Sequence, residues 1–426
     1  MTEIRSQKQG EAGPQNGGNG KTQQGEPSGF GRTKDLAGGK SSPLYSEQRW
    51  HPSWAKFRGM KWEDFSKMEI SDKIPFFAKD GKLYDCLFAQ QFDRYSLDYL
   101  CQVADLLRAI TKTEAGDRFV ESLLFNKRAM LVFNQPSSRT FLSFQNACHV
   151  LGMKTSEIRD VSTSSFAKGE SDNDSVRTFS SYVHLMIMRM KEPGLVEKTA
   201  WHLNSNTNRP IPVINAGSGA DQHPTQALLD VYTMERCLEG GIDGKRIVMV
   251  GDLKRGRTVR SLSYLMRNYP GASITYVAPE QFRMGNDILD FLGKQGIYYE
   301  QTEDFESAIR GADAIYMTRM QDEHDKSGES KSVDTSKFKF QPQHLGMIKP
   351  TCIIMHPLPR RDEIHEDVDS DERAVYWRQE RNGMWMRAAL IARILGADAR
   401  ILEFADGIGI PIHVGKPHTK SYSPQT

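Results

Sequence analysis

From about residue 84 onward, short apolar runs alternate with amphipathic stretches. AMLVF (129–133), LMIMR (185–189) and PVIN (212–215) have the length and aliphatic content of buried strands. SLDYLCQVADLLRAI (96–110) and TQALLDVYTMERCLE (225–239) repeat apolar residues three and four apart, which predicts helices. The second half repeats the alternation through RIVMVGDL (246–253), TVRSLSYLMRN (258–268), ITYVA (274–278), NDILDFLGKQ (286–295), IYYE (297–300), FESAIRG (305–311), AIYMTR (314–319) and CIIMHPL (352–358). Strands that alternate with helices in this way build parallel sheets covered on both faces. The expected fold is therefore α/β, with two doubly wound parallel-sheet domains and an active-site cleft between them. A further helix over GMWMRAALIARILG (383–396) is apolar enough to pack back on the body, and the loop from Asp322 to Gln343 is long and polar.

The N-terminal segment breaks this pattern. Its Gly, Gln, Ser and Pro are too polar to bury the surface that would offset ordering, so a disordered tail is expected over 1–44. Residues 50–65, WHPSWAKFRGMKWEDF, then carry three tryptophans and two phenylalanines, an aromatic patch that must pack somewhere.

Composition narrows the function. Fifty-six Lys and Arg stand against 54 Asp and Glu, a net charge of +2 that gives no global field for nucleic acid or an anionic membrane, so any anion site must be local. The five cysteines are widely spaced without a C-x-x-C pair, which argues against a disulfide framework or a zinc site. No apolar stretch approaches the roughly 18 residues of a membrane helix. A soluble, cytoplasmic protein is the expectation.

Local anion chemistry falls at predicted strand ends, where open α/β sheets bind ligands. After AMLVF, the turn NQPS leads into Ser137, Ser138, Arg139 and Thr140 at a helix start. First-turn N–H groups lack helical partners, so together with three hydroxyls and a guanidinium they could wrap an oxyanion. Taken alone, the same cluster could be a helix cap beside a surface arginine. Phe141, Phe144, Cys148 and Leu151 continue at helical spacing and should face the core. Arg189 ends a continuous hydrophobic strand. His223 and Gln226 follow a glycine-rich turn, with Pro224 at a favoured first helical position and Asp230 further in. Lys254, Arg255, Arg257 and Arg260 follow one strand, and Arg319 and Gln321 another.

In order and approximate spacing, FNQPSSRT, SSFAKGE, IMRM, DQHPTQALLD, GDLKRGRTVRS, YMTRMQ and MHPLPRRDEI resemble the aspartate carbamoyltransferase catalytic-chain family, within the aspartate/ornithine carbamoyltransferase superfamily. The resemblance spans roughly residues 84–404. Pro357, where ornithine enzymes carry cysteine, and the YMTRMQ segment point to aspartate. The implied activity is transfer of the carbamoyl group of carbamoyl phosphate to L-aspartate, in de novo pyrimidine synthesis. Implied too are a homotrimer with shared active sites and no metal or organic cofactor. The resemblance divides residues 84–404 into a carbamoyl phosphate-binding domain (84–235), an aspartate-binding domain (236–380) and a C-terminal helix packing on the first domain (381–404); an aromatic-rich extension (45–83) and a tail (405–426) flank them.

Residue by residue, Ser137, Ser138, Arg139 and Thr140 resemble the phosphate loop, with Arg189, His223 and Gln226 completing the carbamoyl phosphate pocket. Leu358 and Pro359 resemble the carbonyl contacts to the carbamoyl amide, and Arg257, Arg319 and Gln321 the aspartate clamp. Ser164 and Lys168 match the loop that a neighbouring subunit lends, Lys168 reaching aspartate as well. Arg139, Thr140, Arg189 and His223 are the expected catalytic residues, with the donors of Thr140, Arg189 and His223 aimed at charge that grows on the carbamoyl oxygen. Two departures stand out: S-S-R-T-F replaces the family's S-T-R-T-R, putting Phe141 where a cation is usual, and Phe166 and Ala167 alter the borrowed loop. Two alternatives remain at this stage, a carbamoyltransferase for another amine and a non-catalytic assembly subunit.

Overall fold

In the computed structural model, residues 51–159, 172–206, 209–219, 221–319 and 334–412 are described. A small antiparallel ribbon, β1 (Ala78–Lys79) and β2 (Lys82–Leu83), precedes two parallel sheets. The first contains β3 (Arg128–Phe133), β4 (Lys154–Ile158), β5 (Leu185–Met190) and β6 (Val213–Ser218), in the order β4-β3-β5-β6. The second contains β7 (Arg246–Val250), β8 (Ser273–Val277), β9 (Tyr298–Thr302), β10 (Ala314–Met317) and β11 (Ile353–Met355), in the order β11-β10-β7-β8-β9. Every neighbouring pair in both sheets is parallel. The expected doubly wound α/β architecture is what the chain adopts.

Strand order fixes where ligands can sit. In the first sheet the chain leaves β3 for β4 on one side and returns to β5 on the other. In the second it leaves β7 for β8 and returns to β10. Each reversal opens a crevice at the carboxyl ends of the strands. The Ser137–Thr140 turn follows β3 and Arg189 lies in β5, while Arg257 and Arg319 follow β7 and β10.

Strands β5 and β6 are buried at every position, as two-sided coverage requires. Alternation along the first sheet sends Ala129 and Leu131 to a core with Phe144 and Cys148, and Met130 and Val132 to a second core. That second core answers where the aromatic patch packs. Trp54, Phe57, Phe65, Phe76 and Phe77 cover this far face together with Met186, Met188 and Val213. Phe65 lies at its centre, with ring centroids 5.0 Å from Phe76 and 5.7 Å from Phe77. The Trp54 indole donates to the Ala78 carbonyl at 3.0 Å.

Two elements differ from the sequence reading. Strand β4, KTSEI, goes unpredicted because it is an edge strand with a mostly exposed, polar pattern and no apolar run. The C-terminal helix spans Tyr376–Ile394, beginning seven residues early, because its first turns bury isolated polar residues such as Gln379 and Asn382 that break the apolar periodicity. It packs against the helices Arg94–Ile110, Ser138–Val150 and Pro224–Cys237. No helix among the described residues is long and apolar enough to cross a membrane.

Candidate active site

A cavity of about 850 Å³ opens where the two sheets present their carboxyl ends. Ser137, Ser138, Arg139, Thr140, Arg189, His223, Gln226, Arg257, Arg319, Leu358 and Pro359 all line it. Ser164, Lys168 and Gln321 lie outside the described residues.

Helix Ser138–Val150 brings its first turn to the cavity. Ser137 occupies the N-cap position in extended backbone, yet its side chain makes no cap bond. Its hydroxyl instead donates to Thr140 Oγ1 at 3.0 Å. The first-turn amides therefore keep their donors directed at the cavity, where an anion gains both hydrogen bonds and the helix dipole. Behind them Phe141, Phe144, Cys148 and Leu151 are all buried, as their spacing predicts. Phe141 packs edge-on to Phe133, with ring centroids 5.3 Å apart. The Arg159 guanidinium lies 4.5 Å from its ring centre, so a cation from another element sits beside the position where the family carries arginine.

Opposite the helix start, Arg189 is buried and donates through Nη1 to the Ala216 carbonyl at 3.1 Å. Gly217 explains why the adjoining turn needs glycine: its φ is +117°, and a Cβ there would stand 2.7 Å from Arg189 Nη1 and 3.3 Å from His223 Cδ2. His223 precedes the helix Pro224–Cys237, and its backbone N–H donates to Ser261 Oγ at 2.9 Å. Burial, reinforced by Arg189, Arg257 and Arg387, holds its imidazole well below the usual histidine range. It is a neutral donor at physiological pH.

From the second half, Arg257 opens the helix Arg257–Leu265 and reaches across the cleft. Its Nη1 donates to Gln135 Oε1 at 2.9 Å and to the Gly219 carbonyl at 2.7 Å. Arg319 follows β10, and the 357–359 turn follows β11. Leu358 is held in the left-handed region, φ +45°, while its N–H donates to His356 Nδ1 at 2.8 Å. That acceptance fixes the ring proton on Nε2, which donates to Glu363 Oε1 at 2.7 Å.

The cavity also holds residues that sequence reading did not single out. Lys191 adds a cation just past β5. Arg387 and Glu380 come from the C-terminal helix. Arg387 is 3% exposed and bonds Ser143 Oγ at 2.5 Å. Burial lowers its pKa to about 10, which leaves it charged at neutral pH. Gly383 makes room for it, since a Cβ there would lie 2.7 Å from Arg387 Nη1. Among the described residues Glu380 is the sole carboxylate in the lining; burial raises its pKa and the nearby Arg387 and Arg139 oppose that rise. The signal for both was two opposite charges seven residues apart on one face of a helix that carries other charges, among them Arg378, Arg381 and Arg393.

Comparison with known proteins agrees with this geometry. Residues 85–236 match the family model described as the carbamoyl-P binding domain of aspartate/ornithine carbamoyltransferase, and residues 243–394 match its Asp/Orn binding domain. The chloroplastic aspartate carbamoyltransferase of Arabidopsis thaliana is 39% identical over 323 residues, covering 74% of this chain and 79% of that protein. The multifunctional protein CAD of Squalus acanthias is 42% identical over 310 residues, covering 73% of this chain but only 13% of that much longer protein. Among solved structures, Trypanosoma cruzi aspartate transcarbamoylase in complex with carbamoyl aspartate and phosphate superposes with a TM-score of 0.68 at 33% identity, covering 74% of this chain and 96% of that one. Its complex with N-(phosphonacetyl)-L-aspartic acid gives 0.67.

Proposed function

Because the chain belongs to the aspartate/ornithine carbamoyltransferase family, we propose that it transfers the carbamoyl group of carbamoyl phosphate to the α-amine of L-aspartate, a step of pyrimidine synthesis. The products are N-carbamoyl-L-aspartate and phosphate. One observation carries the assignment of roles: a helix-start anion loop and the cations of two sheets face a single cavity. Ser137, Ser138, Arg139 and Thr140 hold the phosphate, and Gln226 with the carbonyls at Leu358 and Pro359 takes the carbamoyl amide. On the opposite wall, Arg257, Arg319 and Gln321 clamp the two carboxylates of aspartate, which suits the paired donors of a guanidinium.

The aspartate amine attacks the carbamoyl carbon, the new C–N bond forms, and the C–O bond to phosphate breaks. Negative charge grows on the carbamoyl oxygen, where Thr140, Arg189 and the neutral imidazole of His223 converge. Loss of one such donor removes on the order of 3 kcal/mol of transition-state stabilisation. The proton leaving the amine passes to the departing phosphate. Holding two small polyanions side by side supplies much of the remaining acceleration.

Ser164 and Lys168 complete the site from a neighbouring subunit of a homotrimer. The five cysteines are free thiols, in keeping with a reducing, cytoplasmic setting. A carbamoyl-transfer assay across aspartate, ornithine and putrescine tests the assignment. Strong preference for aspartate is expected; preference for a diamine or no turnover overturns it.

A further inference from the structure

One cluster of buried polar groups joins the two sides of the pocket for the carbamoyl amide. Asp230 is fully buried on the helix Pro224–Cys237. Its Oδ1 accepts from Gln226 Nε2 at 3.0 Å and from Gln379 Nε2 at 2.7 Å. Its Oδ2 accepts from the Tyr316 hydroxyl at 2.7 Å. Gln379 turns its other end to the β11 side, where its Oε1 accepts the His356 backbone N–H at 3.0 Å. His356 in turn holds the Leu358 N–H. An unbroken chain therefore runs from Gln226 through Asp230, Gln379 and His356 to Leu358.

The chemistry of this chain has one direction. Burial raises the Asp230 pKa to about 7, and the three donors that converge on its two oxygens favour the ionised form. A carboxylate accepts only, so the amide of Gln226 presents nitrogen to Asp230, which leaves its Oε1 for the cavity. Gln379 is polarised the same way, nitrogen to Asp230 and oxygen to the His356 N–H. We infer that Asp230 is a positioning residue for substrate specificity: it aims the Gln226 carbonyl and, through Gln379 and His356, the Leu358 turn, so that the pocket offers acceptors only and selects an acyl phosphate bearing an NH₂ group. This rests on the functional assignment above.

Acetyl phosphate provides the discriminating probe, because its methyl group has the size of the amide but donates nothing. A site built to accept hydrogen bonds rejects an analogue lacking the donor, since its own buried acceptors are then left unpaired. The experiment measures kcat/KM with aspartate for carbamoyl phosphate and acetyl phosphate, together with the calorimetric affinity for inorganic phosphate. In Asp230→Asn the new amide nitrogen needs an acceptor and Gln226 can turn to supply it. The ratio of carbamoyl to acetyl transfer should fall at least tenfold, while phosphate affinity stays within about twofold. Should Asp230→Asn fail to fold, Gln379→Leu breaks the link to His356 and leaves the Gln226–Asp230 bond, and the ratio should again fall. An unchanged ratio in whichever folded variant is measured, or phosphate affinity lost in step with activity, overturns the inference. Absence of carbamoyl transfer in the unmodified enzyme would instead overturn the functional assignment.

Discussion

Arg139 and Arg387 line one cavity but stand in opposite environments, and their substitutions should separate accordingly. Arg139 is exposed on the first helical turn, so Arg139→Ala removes a charge-assisted contact without disturbing packing. Phosphate affinity should drop by at least ten- to a hundredfold, about 1.5–3 kcal/mol, with no change in thermal midpoint. Calorimetry and a melting curve check both halves. Glu380 should act in the other direction. As a carboxylate in the lining it opposes a bound anion, so Glu380→Gln should tighten inorganic phosphate several-fold at neutral pH. Its pKa is raised, so lowering the pH neutralises it earlier than an ordinary carboxylate. Affinity in the unmodified protein should therefore gain on the variant as pH falls, a difference that cancels the titration of phosphate itself. The residues recovered from sequence sit in compact polar motifs at strand ends, such as Ser137–Thr140. Glu380 and Arg387 escaped because, in a helix that also carries Arg378, Arg381 and Arg393, each looks like an ordinary surface charge until Gly383 is seen to leave room for the buried Arg387.

Elements show a similar division. Buried strands such as β5 were legible because six consecutive buried positions demand an unbroken apolar run. The edge strand β4 is specified by pairing with β3 and not by its own composition. The aromatic segment was visible as a patch, but its destination depended on the alternation of β3 and β5, whose Met130, Val132, Met186 and Met188 require a cover. Phe65→Ala at its centre should cost about 3–5 kcal/mol of stability while leaving kcat nearly intact, measurable by urea unfolding beside the transfer assay. Asp85 anchors the same region, accepting from Asn204 Nδ2 and the Val213 N–H, both at 2.7 Å. Burial pushes its carboxyl up to about 8. Below roughly pH 4 the group is protonated whether folded or not and costs nothing. As pH rises toward 8 the unfolded chain ionises first, so folded stability declines through that window and levels off above it. Asp85→Asn should flatten the decline, read from urea midpoints at pH 5 and pH 8.

At the scale of the whole molecule, two strand-order reversals bring one set of cations to each wall of a single cleft, and Arg257 already spans it through Gln135 and the Gly219 carbonyl. The C-terminal helix packs on helices of the first half and contributes Glu380 and Arg387 to the cavity, so its packing and the site are coupled. Our assignment of Ser164 and Lys168 to a neighbouring subunit makes a prediction about assembly that no single chain can satisfy. Lys168→Ala removes the lent group, and Arg257→Ala removes a group of the receiving cleft. In a homotrimer that shares its sites, some mixed sites pair an intact Arg257 in one chain with an intact Lys168 in the next. Each variant alone should be inactive, and mixing after dissociation and reassembly should restore a fraction of wild-type activity. With random exchange, one quarter of sites in an equal mixture receive both intact groups, so recovery should approach about a quarter of the wild-type rate. Sedimentation of differently tagged chains would establish exchange, and exchange without recovery would place Lys168 and Arg257 in the same chain's site.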